Sequence, residues 1–526
     1  MVLGITILIL PKNFNYSEAI HRGLTSPMAF NSYKMKKDGI IIFLLLVSFS
    51  ISIYSQTTFQ KVYRNQEDQV INCVIEDDNG NFIMVGRKFS ETLNIMQAYI
   101  IRIDSTGELL NEVVPDSTLG GSIFFNIFLF NDSLYILGAK TIDSSSMTKL
   151  WYLKLDKNLV KSSEKYLGIP ANCWFSYMNS IIDIDSNFVM TGYISRWDTL
   201  SQLNNDVFFY KLSLTGDSIS SSFIASDYIL SLSFDIIEKN DQSGYYAYGF
   251  KYSTAISHGG QRFDLSDQFD SINVVSVPYG LDSYISSEKL NDSIIILSGN
   301  GELPEIPSYS ISVLTTTIDN TPINYNHFKI EGEMRDHTAI YHGVDYHNNN
   351  IYVGGTSNFN YSDPFFSTSD SWFHLIKINP DISPIWEYWY GGDAYYVLYS
   401  ILATSDGGCL MVGNRFDDEL QDQERDIYVA KVNDEGLILW TQEIRPDKPL
   451  SYVYPNPGTD YCNINSSIGE LQIHFHNFSG QLLSSSRLHE GNNLINTIVW
   501  PAGIYLYRIY DSKQQLIQSG KWIKTF

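Results

Sequence analysis

The sequence predicts an all-β protein, a radial array of seven small sheets followed by a smaller β unit, and three observations predict it. Aromatic residues make up 14% and charged residues only 18% of the 526 residues, a composition that suits pleated, half-buried surfaces better than a disordered or coiled-coil chain. A short apolar strand leading to a glycine recurs seven times along the chain. After Pro446 that rhythm stops and a new set of alternating strands begins.

The recurring strands are Phe82-Ile83-Met84-Val85-Gly86, Leu134 to Gly138, Phe188 to Gly192, Tyr245 to Gly249, Ile294 to Gly299, Ile351 to Gly354 and Cys409 to Gly413. Their glycines (Gly86, Gly138, Gly192, Gly249, Gly299, Gly354 and Gly413) lie 52, 54, 57, 50, 55 and 59 residues apart. That spacing suits one four-stranded sheet with generous loops. Another alternating strand follows most copies, as in Tyr99 to Asp104, Trp151 to Asp156 and Ile427 to Asn433, and then a tight turn such as Asp434-Glu435-Gly436 leads to a fourth. The fourth and fifth units lack this following pattern. One such sheet cannot cover both of its faces, whereas seven packed around an axis bury them. The expected fold is therefore a seven-bladed β-propeller over residues 56–446. Each repeat glycine reads as structural, its missing side chain letting neighbouring blades approach closely. Two segments compete to complete the last blade, Phe59 to Tyr63 and Leu439 to Ile444.

At the N-terminus, Met35-Lys36-Lys37 followed by the apolar run Ile40 to Val47 has the form of a signal peptide over residues 35–55, with residues 1–34 reading as a mis-assigned upstream extension. The run is too short for a stable membrane span in the mature chain. A net charge of −23 repels phosphate backbones and excludes nucleic acid as a partner. Cys73, Cys173, Cys409 and Cys462 have no close spacing, so buried free thiols are expected. A Cys73–Cys409 disulfide between neighbouring blades is conceivable if the ring closes.

Thr404-Ser405-Asp406-Gly407-Gly408, the strand to Gly413, then Asp426 to Lys431 and Trp440 together resemble the repeats of secreted bacterial β-propellers. Beyond a linker at 447–453, residues 454–526 carry Tyr454-Pro455-Asn456-Pro457, Ile473 to Leu482, Ala502 to Ile509 and Lys521 to Lys524. Their order resembles the type A C-terminal sorting domain of type IX secretion. That resemblance implies a small Ig-like β-sandwich, a Gram-negative bacterial source, the type IX secretion machinery as partner, and delivery to the medium or the outer cell surface. It marks Pro455, Asn456, Pro457, Gly480, Gly503, Tyr505, Lys521 and Lys524 as the sorting motif. Cys462 stands where the family usually has an aliphatic residue.

No catalytic motif is present: there is no Gly-x-Ser-x-Gly elbow, His-Glu-x-x-His pair, Walker-type loop or dinucleotide fingerprint. His337, His342 and His347 are five apart, so successive ones face opposite sides of a strand, and no shared metal is expected. His474 and His476 share a face but lack a carboxylate or thiol companion. Asp77-Asp78-Asn79-Gly80 and Asp183-Ile184-Asp185 read as turns rather than calcium loops, and Ser405 to Gly408 is an incomplete Asp-box. The sequence thus predicts no catalytic, cofactor or metal residues and a non-enzymatic surface module that binds an extracellular glycan, peptide or protein. The alternative is a secreted glycosidase-like hydrolase with carboxylates gathered at the central channel.

Overall fold

The computed structural model describes residues 56–525 apart from 66, 116–119, 143–147, 170–172, 198–202, 225–229, 254–255, 304–305, 330–334, 421–423, 439–450, 467, 470, 478–481 and 511–515. The expected signal segment and upstream extension lie outside these residues. Among the described residues the chain is built from antiparallel strands with one 3-10 turn at Pro278–Gly280, and no helix is long and apolar enough to cross a membrane.

Successive strands pair with their sequence neighbours. Sheet 1 is Gln69–Glu76, Phe82–Ser90, Ile95–Ile103 and Leu109–Val113, and sheet 2 is Ser122–Phe130, Ser133–Thr141, Thr148–Asp156 and Lys161–Leu167. Sheet 3 begins at Cys173–Ile182, sheet 4 at Leu230–Glu238 and sheet 5 at Leu281–Lys289. In sheet 6 two short strands, His337–Thr338 and Val344–His347, share the innermost place beside Asn350–Ser357. Sheet 7 is Tyr395–Ala403, Cys409–Phe416 and Arg425–Val432, completed by Phe59–Tyr63 from the start of the chain.

Period-2 alternation explains why each second strand is mostly apolar up to its repeat glycine: its odd and even residues serve two different cores. Val85 and Ile83 pack with Ile136 and Trp151 of sheet 2, whereas Met84 and Phe82 pack with Val412 and Val429 of sheet 7. The same handover recurs between sheets 2 and 3 (Leu137, Phe188), 3 and 4 (Val189, Ile236), 4 and 5 (Tyr248, Leu297), 5 and 6 (Val313, Val353), and 6 and 7 (Leu375, Met411). The cores form a cycle, which makes this region a β-propeller.

Two sequence readings change here. The strand Phe59–Tyr63 pairs with the outer side of Arg425–Val432, Phe59 opposite Lys431 and Tyr63 opposite Ile427, so the place offered to Leu439 to Ile444 is taken. The closing strand also brings Gln56, whose amide donates to the Asp406 carbonyl at 2.7 Å, and Tyr63, whose hydroxyl donates to the Gly107 carbonyl at 2.7 Å. The third strands missing from the fourth and fifth units are present as Ile256–Ser266 and Ile306–Thr317. They escaped notice because serine, threonine and arginine occupy positions that are charged or apolar in the other repeats.

The repeat glycines act inside their own sheets more than between sheets. A Cβ at Gly86, Gly138, Gly249 or Gly413 would lie 1.9, 2.2, 2.1 and 2.0 Å from the carbonyl oxygens of Val70, Ile123, Leu232 and Val397, each on the innermost strand of the same sheet. In these four sheets that strand carries a β-bulge beside the glycine, and the absent side chain makes room for it. Gly354 instead meets the neighbouring sheet, through Ile401 and Leu398, and a Cβ at Gly413 would also lie 2.7 Å from Phe373 of sheet 6; the carbonyl contact in sheet 6 falls on Gly355.

Cys73 packs in the core between sheets 1 and 2 and Cys409 in that between sheets 6 and 7, so they face apart and both are free. Burial pushes the Cys73 thiol up to about 11, which keeps it protonated and inert.

In the C-terminal region, Ser451–Tyr454, Tyr461–Ser466 and Gly491–Asn496 make one sheet, and Leu482–Leu488, Leu471–His476, Gly503–Tyr510 and Leu516–Lys524 make another. Both line one core, with Cys462 and Ile464 from the first and Phe475, Tyr507, Ile509 and Trp522 from the second. The first strand starts at Ser451, inside the stretch read as linker.

Candidate functional site: the central channel

The innermost strands of all seven sheets converge on a cavity of about 490 Å³. It occupies the half of the channel nearest the hairpins that lead from first to second strands: its walls are residues 72–75, 126–128, 179–182, 235–238, 287–289, 341, 342, 345 and 400–402. The other half is filled. Phe234 stacks on Tyr284 at 4.9 Å, Tyr284 meets the His337 ring at 4.7 Å, and His337 lies 4.4 Å from Phe359. Tyr341, stacked on Tyr399, belongs to this aromatic plug and also lines the cavity.

The walls carry a polar girdle set by register. The inner-strand residues paired with the position before the repeat glycine are Cys73, Asn126, Asn179, Asp235, Ser286 and Ser400. A hydrogen-bonded chain runs through it: the Asn126 amide donates to Asn179 Oδ1 at 2.8 Å, and the Asn179 amide to Asp235 Oδ1 at 3.0 Å. The Ser287 hydroxyl donates to Asp235 Oδ2 at 2.9 Å. Burial raises the Asp235 carboxyl to about 6 despite these donors. Asn72 Oδ1, Asn126 Oδ1 and Ser180 Oγ, on side chains that line the cavity, are buried and have no protein partner.

Beside this girdle stand Glu288, His342 and Asp345. His342 Nε2 is 3.9 Å from Glu288 Oε1 and 3.9 Å from Asp345 Oδ1, and one donor atom from each of the three lies within 4.8 Å of the others. Burial and then the neighbouring Asp345 push Glu288 well above the usual carboxylate range. Burial alone would lower His342, but Asp345, Glu288 and Asp235 outweigh it and hold the imidazole above its ordinary value.

The three spaced histidines thus part company, with His337 in the plug, His342 in the cavity and His347 exposed at a hairpin. The carboxylate–imidazole group went unread because Glu288 belongs to sheet 5 and its companions to sheet 6. The girdle had a weak signature: Asn126, Asn179, Asp235, Ser286 and Ser400 each precede their repeat glycine by 12 to 14 residues.

His337 gives a pH prediction. Burial among aromatic rings lowers its imidazole to about 4, so the folded protein keeps it neutral while the unfolded chain protonates it below about 6.5. Its stabilising contribution is complete above that pH and falls away as the pH drops towards 4, by up to roughly 3 kcal/mol. Denaturant titrations at pH 7 and pH 4.5 should show His337→Phe losing less stability over this interval than the parent protein; equal losses would refute the assignment.

The residues that the resemblance marked as the sorting motif lie far from the channel in sequence, and several of them meet around the last strand. Asn456 clasps the last strand, its amide donating to the Lys521 carbonyl at 2.8 Å while its Oδ1 accepts from Ile523 N at 2.9 Å. Trp522 Nε1 donates to the Pro455 carbonyl at 2.6 Å. Lys524 is buried, its ammonium donating to the carbonyls of Thr497 at 2.6 Å, Trp500 at 2.8 Å and Ile498 at 3.2 Å. Tyr505 donates to the Pro501 carbonyl at 2.5 Å, and Gly503 pairs with Lys524. Pro457 follows a cis peptide, Lys521 is exposed, and Gly480 lies outside the described residues.

No curated protein matches the sequence. Among solved structures, the chain is similar to the acylaminoacyl peptidase of Pyrococcus horikoshii, at 10% identity and TM-score 0.40 over 76% of this chain and 58% of that one. It is similar to puromycin hydrolase, at 8% identity and TM-score 0.43 over 84% and 58%. It is also similar to the β-propeller domain of the Trilobed protease from Pyrococcus furiosus, at 10% identity and TM-score 0.39 over 73% and 100%. The chain thus spans about 58% of the length of the peptidase and of the hydrolase. The expectation of a non-enzymatic protein is corrected by these comparisons, since a peptidase and a hydrolase are among the similar structures; enzymatic status stands unassigned. Residues 452–524 match the secretion system C-terminal sorting domain. This protein is therefore a β-propeller that carries a type IX secretion sorting domain and is exported to the cell surface or secreted.

Proposed function

We propose that the exported body is a seven-bladed propeller, with an Ig-like sandwich as its address, and that it binds a small polar ligand in the channel cavity. The observation that carries this reading is the excess of acceptors on the cavity wall. Asp235, Glu238, Glu288 and Asp345 line the space with Lys289 as its one ammonium. A ligand rich in hydroxyl or amine donors, a glycan unit or an amine-bearing peptide end, satisfies those groups; an apolar ligand leaves them unpaired. Thermal-shift and calorimetric titration with oligosaccharide and short-peptide panels tests this. Binding should weaken about tenfold in Glu238→Gln, the loss of roughly one charge-assisted hydrogen bond to the ligand. Panels that give no binding, or a Glu238→Gln protein that binds equally well, would overturn the reading.

The nearness of the Glu288 and Asp345 carboxyls also favours a second reading, glycoside hydrolysis, in which a protonated Glu288 serves as acid. Turnover of a glycan that binds would select it.

A further inference from the structure

We infer that Glu288, His342 and Asp345 form a binding site for a first-row divalent cation. The three donor atoms already face one another within 4.8 Å. The separations of 3.9 Å from His342 Nε2 to each carboxylate are too long for hydrogen bonds and about 0.5 Å wider than the ligand spacing around a tetrahedral zinc, a gap that small side-chain rotations close. Imidazole plus carboxylate oxygen without thiolate is a donor set suited to zinc or manganese.

The ligands are held from outside the cluster. Ala403 N donates to Asp345 Oδ2 at 2.6 Å and Tyr346 N to Asp345 Oδ1 at 2.8 Å. The backbone of His342 is pinned between sheets 6 and 7, with Ile401 N donating to its carbonyl at 3.0 Å. Such outer contacts fix ligand orientation before a metal arrives.

Three protein ligands leave coordination positions open to water. The charge balance agrees, because four carboxylates line the cavity against one ammonium and one imidazole. The site would place a Lewis acid in the proposed ligand cavity. It rests on that cavity being functional, and measuring the metal with no organic ligand present keeps the two failures apart.

The test uses residues 56–526, stripped with chelator and titrated calorimetrically with Zn²⁺, with Co²⁺ absorption as the spectroscopic probe. His474 and His476, whose rings are 6.3 Å apart, are the competing donors, so the titration is run on a His474→Ala/His476→Ala protein. One Zn²⁺ per chain is expected, with affinity reduced roughly 10–100-fold or more in Glu288→Gln and in His342→Gln. Asp345→Asn serves as a third variant, and unfolding curves verify that each variant is folded. Absence of stoichiometric binding, or binding that survives all three substitutions, would overturn the site.

Discussion

Phe59→Ala should lower the unfolding free energy by about 3–5 kcal/mol, although Phe59 sits in a strand of only five residues near the start of the described chain. Its ring is 1% exposed, packs 6.4 Å from Phe82, and fills the space beside Gly107, where a Cβ would lie 2.6 Å from the ring. The strand that carries it joins the first-made part of the chain to the last sheet. Truncation therefore creates a cavity in the core shared by sheets 7 and 1 and loosens the contact that closes the cycle. Deleting residues 56–65 goes further, because it strips the outer partner from Arg425–Val432 and leaves an apolar strand edge open to other chains. Such a protein should aggregate and lose cooperative unfolding. Guanidinium titrations followed by tryptophan fluorescence measure both effects, with Leu109→Ala as a control: Leu109 is exposed on an outer strand, and its truncation should cost within about 0.5 kcal/mol. If Phe59→Ala also cost less than about 1 kcal/mol, the strand would not be closing the ring.

Removal of residues 452–526 should abolish export while leaving a folded propeller in the periplasm. A subtler version targets one residue. The ammonium of Lys524 satisfies three carbonyls at the turn before Gly503–Tyr510, and Lys524→Ala leaves them, the buried Thr497 carbonyl above all, without that donor at a cost of roughly 2 kcal/mol. Asn456→Ala releases the clasp on the last strand from the opposite end. Both should reduce the exported fraction severely, as read by fractionation and immunoblotting, without changing the unfolding of the propeller. Conversely, residues 446–526 fused behind a signal-bearing fluorescent protein should carry it to the surface of a host with type IX machinery. A truncated protein that is still exported, with fused cargo that stays periplasmic, would show that the region is not sufficient or necessary as an address.

The sorting region was legible because its signals are local: Pro455-Asn456-Pro457, Gly503, Tyr505 and Lys524 follow one another in a fixed order. The channel was not. Glu288 and His342 are more than fifty positions apart in the sequence and carry no mutual spacing signal, and the girdle from Asn126 to Ser400 takes one residue from each of five repeats, each unremarkable alone. The five-residue spacing of His337, His342 and His347 suggested alternating faces of one strand. The chain instead leaves its ladder between Thr338 and Val344, so the three imidazoles reach an aromatic plug, a polar cavity and solvent.

What the sequence by itself determined was the repeating strand: alternation sends Met84 and Val85 to different cores, and a glycine recurs where an inner-strand carbonyl needs space. These follow from near-neighbour geometry, which is written in adjacent residues. Only the tertiary structure decided how the ring closes, whether Cys73 can meet Cys409, and which carboxylates share a cavity. Those outcomes depend on segments such as Phe59–Tyr63 and Arg425–Val432 meeting across the whole chain, and a contact at that separation leaves no periodic trace in either partner.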